Sequence, residues 1–377
     1  MTHPDLIFFN LSEKPTIRSL GLMTGTSMDG LDMCVADIEL SPDSAAFDIK
    51  YSKTIVFPIE IKDRIQSALN GNTGLISDLH YDLGRWLADT VSAEIPNELI
   101  PDIIGCHGQT IFHHHNVSTF QIGEPSFLAE SLGVPVISDF RARDVSVGGC
   151  GAPLIPIIDK WLLQDKNEFR ISLNVGGIAN VTILPILDGE NIAGFDTGPG
   201  MALMDEAYIN AFSQGIDTNG KKAQAGQVHD DFVYQWVEDS FIQKLPPKSA
   251  GRHDYGIDWL KVHNHELETL SIEDQLATLC AFTAESIHKG CKPYMYGKNG
   301  SLIIGGGGSH HERLIHELEK RFTTFQIRKS DEFGIPVDGK EALGFAILAV
   351  AYVKGIPGNL PQVTGARKAT ILGKLTI

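Results

Sequence analysis

Short apolar runs alternate with segments of helical periodicity along this chain of 377 residues, a pattern typical of α/β proteins. The clearest helix is predicted over roughly 73–95, where apolar residues recur at helical spacing. Leu343–Val353 is the longest apolar stretch and is too short to cross a bilayer, so it predicts a buried helix. The residues that define the first helix are Leu79, Leu83, Trp86, Leu87 and Val91.

Two apolar runs, Ile17–Met23 and Leu31–Ile38, predict a β-hairpin with a glycine-rich tip. Its glycines would expose backbone amides, its hydroxyls could donate hydrogen bonds, and its two aspartates could hold a hydrated cation. A nucleoside triphosphate with its metal requires these groups. An ordinary polar turn has the same composition, so the hairpin alone leaves both interpretations open. The tip residues are Gly25, Thr26, Ser27, Asp29, Gly30 and Asp32.

The same pattern returns about 150 residues later. Phe169–Val175 and Ile178–Leu184 flank a Gly-Gly turn, which suggests two domains that begin alike. A second glycine-rich turn is predicted over 194–200, and a third, Gly305–Gly308, precedes a helix expected from about Glu312. Three such turns after apolar stretches favour a nucleotide-binding cleft between two domains.

Two further predicted strands end in polar residues. Ile103–Cys106 leads into residues 107–110, and Val134–Ser138 leads into Asp139, Phe140 and Arg141. Open α/β sheets bind ligands beyond such strand ends. Arg141 and Arg143 form the obvious basic cluster for an anionic ligand.

Composition excludes several classes of protein. The net charge is −16 and no stripe of Lys or Arg is present, which argues against binding to nucleic acid. The five cysteines are scattered and never spaced as CxxC, which argues against disulfides and structural zinc and fits a reducing compartment. The first residues lack the features of a signal peptide. We therefore expect a soluble cytoplasmic protein without membrane contact.

Other motifs give weaker signals. Residues 215–222 resemble a P-loop but lack its Ser or Thr and follow a helix-like segment. On a strand, only His113 and His115 of the run 113–115 would share a face. For that run a solvated loop or a substrate contact is favoured over a metal site, and His310-His311 is interpreted as a loop that contacts a ligand. No metal ligands are assigned.

Eleven short blocks, in order, resemble those of the anhydro-N-acetylmuramic acid kinases, members of the sugar kinase, heat-shock chaperone and actin superfamily. The resemblance covers about residues 19–375. The blocks are GLMTGTSMDGLD (21–32), GCHGQT (105–110), QIG (121–123), DFRARD (139–144), GAPLIP (151–156), NVGGIANVT (174–182), FDTGPG (195–200), PPKSAGR (246–252), GGG (306–308), KEALGFAILA (340–349) and PGNLPQVTGA (357–366).

The resemblance implies an α/β fold of two ribonuclease-H-like domains, the actin-like ATPase fold, with a cleft between them. We expect the first domain over 1–140 plus about 355–377 and the second over 141–354. The implied reaction converts ATP, water and 1,6-anhydro-N-acetylmuramic acid into ADP and N-acetylmuramic acid 6-phosphate during peptidoglycan recycling. Magnesium would accompany ATP, and family members are commonly homodimers.

The resemblance also implies roles for single residues. Asp196 matches the catalytic base, and Glu341 matches a glutamate at the substrate that could deliver a proton to the leaving oxygen. Arg141 and Thr110 match substrate-binding positions; for Arg141 the structural alternative is an ion pair with Asp139 or Asp144. The nucleotide-binding positions are Gly25, Thr26, Ser27, Met28, Asp29, Gly30, Leu31, Asp32, Gly306, Gly307 and Gly308.

Three positions depart from the family pattern. Cys150 replaces a glutamine, and Met201 and His311 replace asparagines. Two alternatives therefore stay open: a kinase of another 1,6-anhydro sugar such as levoglucosan, and a non-catalytic nucleotide-binding regulator on the same fold.

Overall fold

The structure is a computed structural model, and it describes residues 10–25, 28, 30–186, 191–251 and 254–377. The strands are β1 (Ile17–Thr24), β2 (Gly30–Leu40), β3 (Ala45–Val56), β4 (Ile103–His114), β5 (Ser118–Ile122), β6 (Val136–Ser138), β7 (Phe169–Val175), β8 (Ile178–Leu184), β9 (Ala193–Pro199), β10 (Gly300–Gly305), β11 (Phe325–Lys329) and β12 (Lys374–Thr376). The α-helices with described bounds are α1 (Ile59–Ala68), α2 (Thr73–Glu94), α3 (Ser126–Leu132), α4 (Phe140–Ser146), α5 (Ile155–Leu163), α6 (Ala202–Phe212), α7 (Lys221–Ala225), α8 (Asp230–Trp236), α9 (Ser240–Gln243), α10 (Ile257–Val262), α11 (Asn264–Leu267), α12 (Ile272–Met295), α13 (Glu312–Arg321), α14 (Lys340–Lys354) and α15 (Pro361–Thr364).

The contacts divide the chain into two compact units. Unit 1 comprises residues 1–162 and 339–377, and unit 2 comprises residues 163–338. This division differs from the boundaries expected at 140 and 355. The difference arises because α4 contacts β5, and α14 contacts β1, β2 and β4 of the first sheet. Helix α5 follows α14 into unit 1, since Ile158 packs beside Gly344.

Each unit is built around a sheet, and five strands of the first sheet follow the same order as the five strands of the second. In unit 1 the order is β12-β6-β4-β1-β2-β3, with β5 paired to β4, and in unit 2 it is β11-β10-β7-β8-β9. The first three strands of each unit are antiparallel, and the next two continue the sheet in parallel from the first. This is the ribonuclease-H-like arrangement, so the expected fold class is confirmed, and the repeated hairpin marks the start of both sheets.

The apolar pattern correctly predicted two of the helices. The helix expected over 73–95 is α2, which begins where Asn72 caps Leu75 N at 3.0 Å. Leu343–Val353 lies within α14, where nearly every side chain is buried. The longest helix, α12, is likewise largely buried in the core of unit 2. Among the helices of the described ranges, none has the length and apolar character needed to cross a membrane.

A pair of glycines holds α14 against the first sheet. Gly21 of β1 and Gly105 of β4 are register partners on neighbouring strands. A Cβ atom at Gly21 would lie 1.7 Å from the carbonyl oxygen of Ala342, and one at Gly105 would lie 2.0 Å from that of Phe345. The helix backbone therefore rests directly on strand backbone, which only glycine permits, and this contact fixes the first turn of α14 with Glu341.

Two segments expected after strand ends lie within strands. Residues 107–110 belong to β4, which continues to His114 because its second half pairs with β5. Residues 194–199, expected as a glycine-rich turn, belong to β9, which pairs with β8 through a bulge. In both cases a partner strand supplies the backbone hydrogen bonds, and this pairing outweighs the low strand propensity of glycine.

Candidate active site

At the tip of the first hairpin the structure describes Gly25, Met28 and Gly30. The carbonyl of Gly25 accepts hydrogen bonds from Met28 N at 3.2 Å and from Gln109 Nε2 at 3.3 Å. Met28 has a φ of 55°, in the left-handed region. Gly30 leaves room for the carbonyl oxygen of Ile55, which would lie 2.2 Å from a Cβ. Of the expected nucleotide contacts here, Thr26, Ser27 and Asp29 lie outside the described residues.

The two tip positions on β2 differ in what they offer a ligand. The side chain of Leu31 is fully buried in the core of unit 1, so only its backbone could contact a nucleotide. Asp32 is partly exposed, and its Oδ1 accepts a hydrogen bond of 2.6 Å from Thr54 Oγ1 on β3. Asp32 is thus the carboxylate that β2 supplies beside the tip.

The Arg141 guanidinium is held by two uncharged acceptors. Arg141 Nε donates to His107 Nε2 at 3.0 Å, and Nη1 donates to the carbonyl of Gly151, also at 3.0 Å. The alternative partners are engaged elsewhere: Asp139 pairs with Lys374, and Asp144 accepts from Gly151 N, Asn359 and Thr364. Burial lowers the pKa of Arg141, while Glu341 and Asp144 oppose that shift.

Glu341 stands in the first turn of α14 and interacts electrostatically with Arg141. Burial raises the pKa of this carboxyl. The positive charges of Lys340 and Arg141 lower it by less, so the pKa stays above its usual value. The negative charges of Asp32 and Asp159 add to the rise. Unit 1 therefore brings Asp32 and Arg141 each within electrostatic reach of Glu341.

Thr110 lies three residues after His107 on β4. Its Oγ1 accepts a hydrogen bond of 3.2 Å from Gln121 Nε2 on β5. The same amide donates to Thr119 Oγ1 at 2.8 Å. A threonine hydroxyl that accepts in this way still has its own proton to donate to a ligand.

Asp196 lies on β9 of unit 2, and the loop at 248–250 donates hydrogen bonds to its carboxylate. Asp196 Oδ2 accepts from Ser249 Oγ at 2.8 Å and from Ala250 N at 2.9 Å. The backbone N–H of Asp196 donates to the carbonyl of Lys248 at 3.3 Å. The consecutive residues Lys248, Ser249 and Ala250 therefore position Asp196. The block PPKSAGR (246–252), to which they belong, did not indicate this contact from the sequence.

Lys248 anchors the loop that holds Asp196. Its buried Nζ donates to the carbonyls of Phe241 and Ile242 at 3.0 and 3.1 Å. Burial lowers the pKa of Lys248 to about 8, an effect that Asp196 partly opposes. Because its donors are used by backbone carbonyls, Lys248 stabilises the loop itself.

The glycine run after β10 serves mainly to pack against β7. A Cβ at Gly306, whose φ is 77°, would lie 2.8 Å from Asn174 Oδ1, and one at Gly308 would lie 2.5 Å from Val175 Cγ1. Gly307 has no atom within 4 Å of its Cβ position. Of these three expected nucleotide contacts, Gly307 is the one that offers an open face.

Two of the three departures from the family pattern are accommodated inside unit 2. The side chain of Met201 packs against its core. His311 was expected in a loop contacting a ligand, but it is buried, and its Nδ1 accepts from Leu314 N at 3.3 Å as the N-cap of α13. Burial lowers its pKa. In unit 1, the thiol of Cys150 lies 3.1 Å from Asn116 Oδ1.

The histidine run straddles a strand end: His113 and His114 close β4, and His115 lies in the turn that follows, so His113 and His115 are not two positions of one strand face. The rings of His113 and His115 lie 5.0 Å apart, and His113 Nδ1 is 3.2 Å from Thr119 Oγ1. Burial, with the nearby charge of Arg141, lowers the pKa of His113 to about 4. Within the described part of the chain, no group of three or more His, Cys, Asp or Glu side chains is arranged to hold a metal.

Solved structures similar to this chain include nucleotide-binding proteins of low sequence identity. The activator of the 2-hydroxyisocaproyl-CoA dehydratase from Clostridium difficile with bound ADPNP has 16% identity and a TM-score of 0.43, covering 90% of this chain and 96% of that one. A ROK family glucokinase from Streptomyces griseus in complex with glucose and AMPPNP has 12% identity and a TM-score of 0.39, covering 88% and 99%.

Sequence relatives are much more similar. Proteins named anhydro-N-acetylmuramic acid kinase from Salinibacter ruber and Synechococcus elongatus are each 35% identical, covering 95% of this chain and 96% and 98% of their own lengths. One from Bacillus cereus is 36% identical over 94% of this chain and 98% of its own. The family profile described as anhydro-N-acetylmuramic acid kinase matches residues 17–377. This chain therefore belongs to the anhydro-N-acetylmuramic acid kinase family, a family of phosphotransferases.

Proposed function

We propose that this chain opens 1,6-anhydro-N-acetylmuramic acid with water and phosphorylates O6 with ATP, giving N-acetylmuramic acid 6-phosphate and ADP. The proposal is supported chiefly by the hydrogen bonds of Asp196, whose Oδ2 accepts from two donors of one loop. The use of ATP assigns the reaction to the cytoplasm, where it would return peptidoglycan sugar to metabolism.

The chemistry requires a base and an acid. The 1,6-anhydro bridge leaves no free hydroxyl at C6, so water must attack C1 while the C1–O6 bond breaks. Asp196 takes the proton of that water, a general-base role that a positioned carboxylate fulfils. Freed O6 then attacks the γ-phosphorus of ATP, and ADP leaves.

Glu341 supports the departure of O6. Since its pKa is raised, this carboxyl keeps a proton to higher pH than an exposed glutamate would. Glu341 donates that proton toward O6 as the C1–O6 bond breaks and takes it back when O6 attacks phosphorus. Arg141 binds the lactyl carboxylate of the sugar, because a guanidinium offers paired donors to a carboxylate.

The nucleotide is bound mainly by backbone. We assign residues 25–32 to the phosphates, and Gly307 offers a surface without a side chain to the adenosine. Mg²⁺ in kinase sites is held by one or two carboxylates together with phosphate oxygens and water, and Asp32 is the carboxylate beside the tip. Bound Mg²⁺ would neutralise charge on the transferring phosphoryl group.

ADP release with purified protein tests this function. We expect sugar-dependent turnover with 1,6-anhydro-N-acetylmuramic acid, and a lower kcat/KM with levoglucosan, which lacks the lactyl carboxylate that Arg141 would bind. Release of ADP that does not respond to either sugar would disprove the kinase assignment. Equal or better turnover of levoglucosan would instead assign the same chemistry to a different sugar.

A matched pair of glycine variants tests the nucleotide surface. Gly308→Ala should lower the free energy of unfolding by about 1–3 kcal/mol, because the new methyl group would collide with Val175. Gly307→Ala should change it by no more than about 0.5 kcal/mol, since its Cβ meets open space. Urea unfolding measures both. Titration with ATP should show weaker binding for Gly307→Ala, and unchanged ATP affinity would remove Gly307 from the nucleotide site.

A further inference from the structure

We infer that His107 is a positioning residue that orients Arg141 for an anionic group of the substrate without neutralising its charge. The inference rests on the proposed function for the identity of that anion, the lactyl carboxylate. Its structural basis is confined to unit 1 and concerns three elements, β4, α4 and α14.

The imidazole of His107 is held on three sides. Its Nδ1 lies 2.7 Å from the carbonyl oxygen of Gly108, and its Nε2 lies 3.0 Å from Arg141 Nε. Its ring packs against Phe345, with ring centroids 4.6 Å apart. The residue is only 4% exposed, so the ring has little freedom to move.

These contacts determine the protonation state of the ring. Arg141 Nε can only donate, so His107 Nε2 must accept and Nδ1 must carry the proton that it donates to Gly108. Burial and the charge of Arg141 lower the pKa of His107 to about 3, although the carbonyls of Gly108 and Thr24 oppose the shift. The ring is therefore neutral at physiological pH.

A neutral acceptor has a specific consequence for Arg141. An aspartate or glutamate in the same place would form a salt bridge and cancel the charge of the guanidinium. His107 instead uses one N–H, and the carbonyl of Gly151 uses another, and neither acceptor adds a negative charge beside the guanidinium. The guanidinium is thus both oriented and still cationic.

His107 also connects Arg141 to the helix that carries Glu341. Phe345, which packs on the imidazole, lies four residues after Glu341 and hence on the same face of α14. Glu341 in turn interacts electrostatically with Arg141. A change at His107 should therefore alter the position of Arg141 relative to Glu341.

Two substitutions of His107, by residues of similar size to each other, distinguish the orientation of Arg141 from the packing of the ring. His107→Gln keeps an acceptor that can reach Arg141 Nε, and His107→Leu has none. We compare kcat/KM for 1,6-anhydro-N-acetylmuramic acid with that for 1,6-anhydro-N-acetylglucosamine, which lacks the lactyl carboxylate. His107→Leu should lose about 10- to 100-fold on the carboxylate sugar, the range for a hydrogen bond to a charged group, and much less on the other sugar. His107→Gln should recover most of this loss.

A control variant addresses general destabilisation. His80 is another histidine of unit 1, and its Nδ1 accepts a hydrogen bond from Gly123 N at 3.0 Å, so His80→Leu should weaken the fold without changing the ratio between the two sugars. Equal losses on both sugars for His107→Leu and His107→Gln would overturn the inference and leave His107 a packing residue.

A spectroscopic measurement tests the inference independently of any sugar. In protein with ¹⁵N-labelled histidine, the His107 signals, identified by their loss in His107→Gln, should show a neutral ring protonated at Nδ1 from pH 6 to 8. Arg141→Lys should shift the Nε2 signal. A ring protonated at Nε2, or charged at pH 7, would disprove the orientation. If the wild type phosphorylates neither sugar, the proposed function fails, and this measurement still decides the role of His107.

Discussion

Asp196→Asn is expected to lower kcat for phosphorylation of 1,6-anhydro-N-acetylmuramic acid by about 10²- to 10⁴-fold, the usual contribution of a general base. An asparagine cannot accept a proton from water. Its amide oxygen can still accept the hydrogen bonds from Ser249 Oγ and Ala250 N, so the loop should keep its position. The affinity for ATP, measured by calorimetry, should remain close to that of the wild type.

The matched control for this variant is Asp258→Asn. Asp258 is an exposed aspartate of the same unit that pairs with Lys261 one helical turn away. We expect this control to keep full activity, since exposed pairs of this kind contribute little. An Asp196→Asn variant that retained a tenth or more of wild-type kcat would remove Asp196 from the role of base.

Glu341→Gln is expected to lower kcat by about 10²- to 10⁴-fold as well, because glutamine has no proton to deliver toward O6. The same substitution should make the protein more stable at neutral pH. Burial raises the pKa of Glu341, which means that the folded protein disfavours its charged form. A neutral amide of the same shape avoids that cost.

The sign of the pH effect follows from proton linkage. A carboxyl with a raised pKa binds more protons in the folded state than in the unfolded state, so its contribution to stability falls as pH rises. The fall begins near the ordinary pKa of 4.5 and ends above the raised pKa of the folded protein. The Tm of Glu341→Gln should thus exceed that of the wild type at pH 7 to 8, and the difference should vanish near pH 4.

Glu130→Gln serves as the control for this experiment, because Glu130 is an exposed glutamate in unit 1. It should change neither kcat nor the pH dependence of Tm. A Glu341→Gln variant that lost both activity and stability at pH 7 would indicate a structural role for this carboxylate. Full activity in the variant would exclude proton delivery by Glu341.

The apolar pattern predicted the strands that begin each sheet. Phe169–Val175 and Ile178–Leu184 were located to the residue, because their apolar runs end at a turn that contains only glycine. The strand character of residues 107–110 and 194–199 was missed. Pairing with β5 and β8 decides those segments, and the identity of a partner strand is not visible in the local sequence.

The candidate site was predicted in part. The roles of Asp196 and Glu341 came from resemblance to a family, and they remain predictions. The bond from Ser249 to Asp196 joins residues 53 positions apart, so no local pattern could indicate it. For the glycine run, the sequence suggested a contact with a ligand. The structure gives Gly306 and Gly308 another reason to be glycine, because a side chain at either position would collide with β7.

The discontinuity of unit 1 has a consequence for folding during synthesis. Unit 2 is a continuous segment, residues 163–338, whereas unit 1 needs residues 339–377 as well as 1–162. The ribosome therefore releases all of unit 2 before α14, whose backbone covers Gly21 and Gly105. Domains usually fold in the order of their synthesis. Residues 1–162 are therefore synthesised before unit 2 but complete their fold only after it, and the sheet face around Gly21 and Gly105 stays uncovered until α14 emerges.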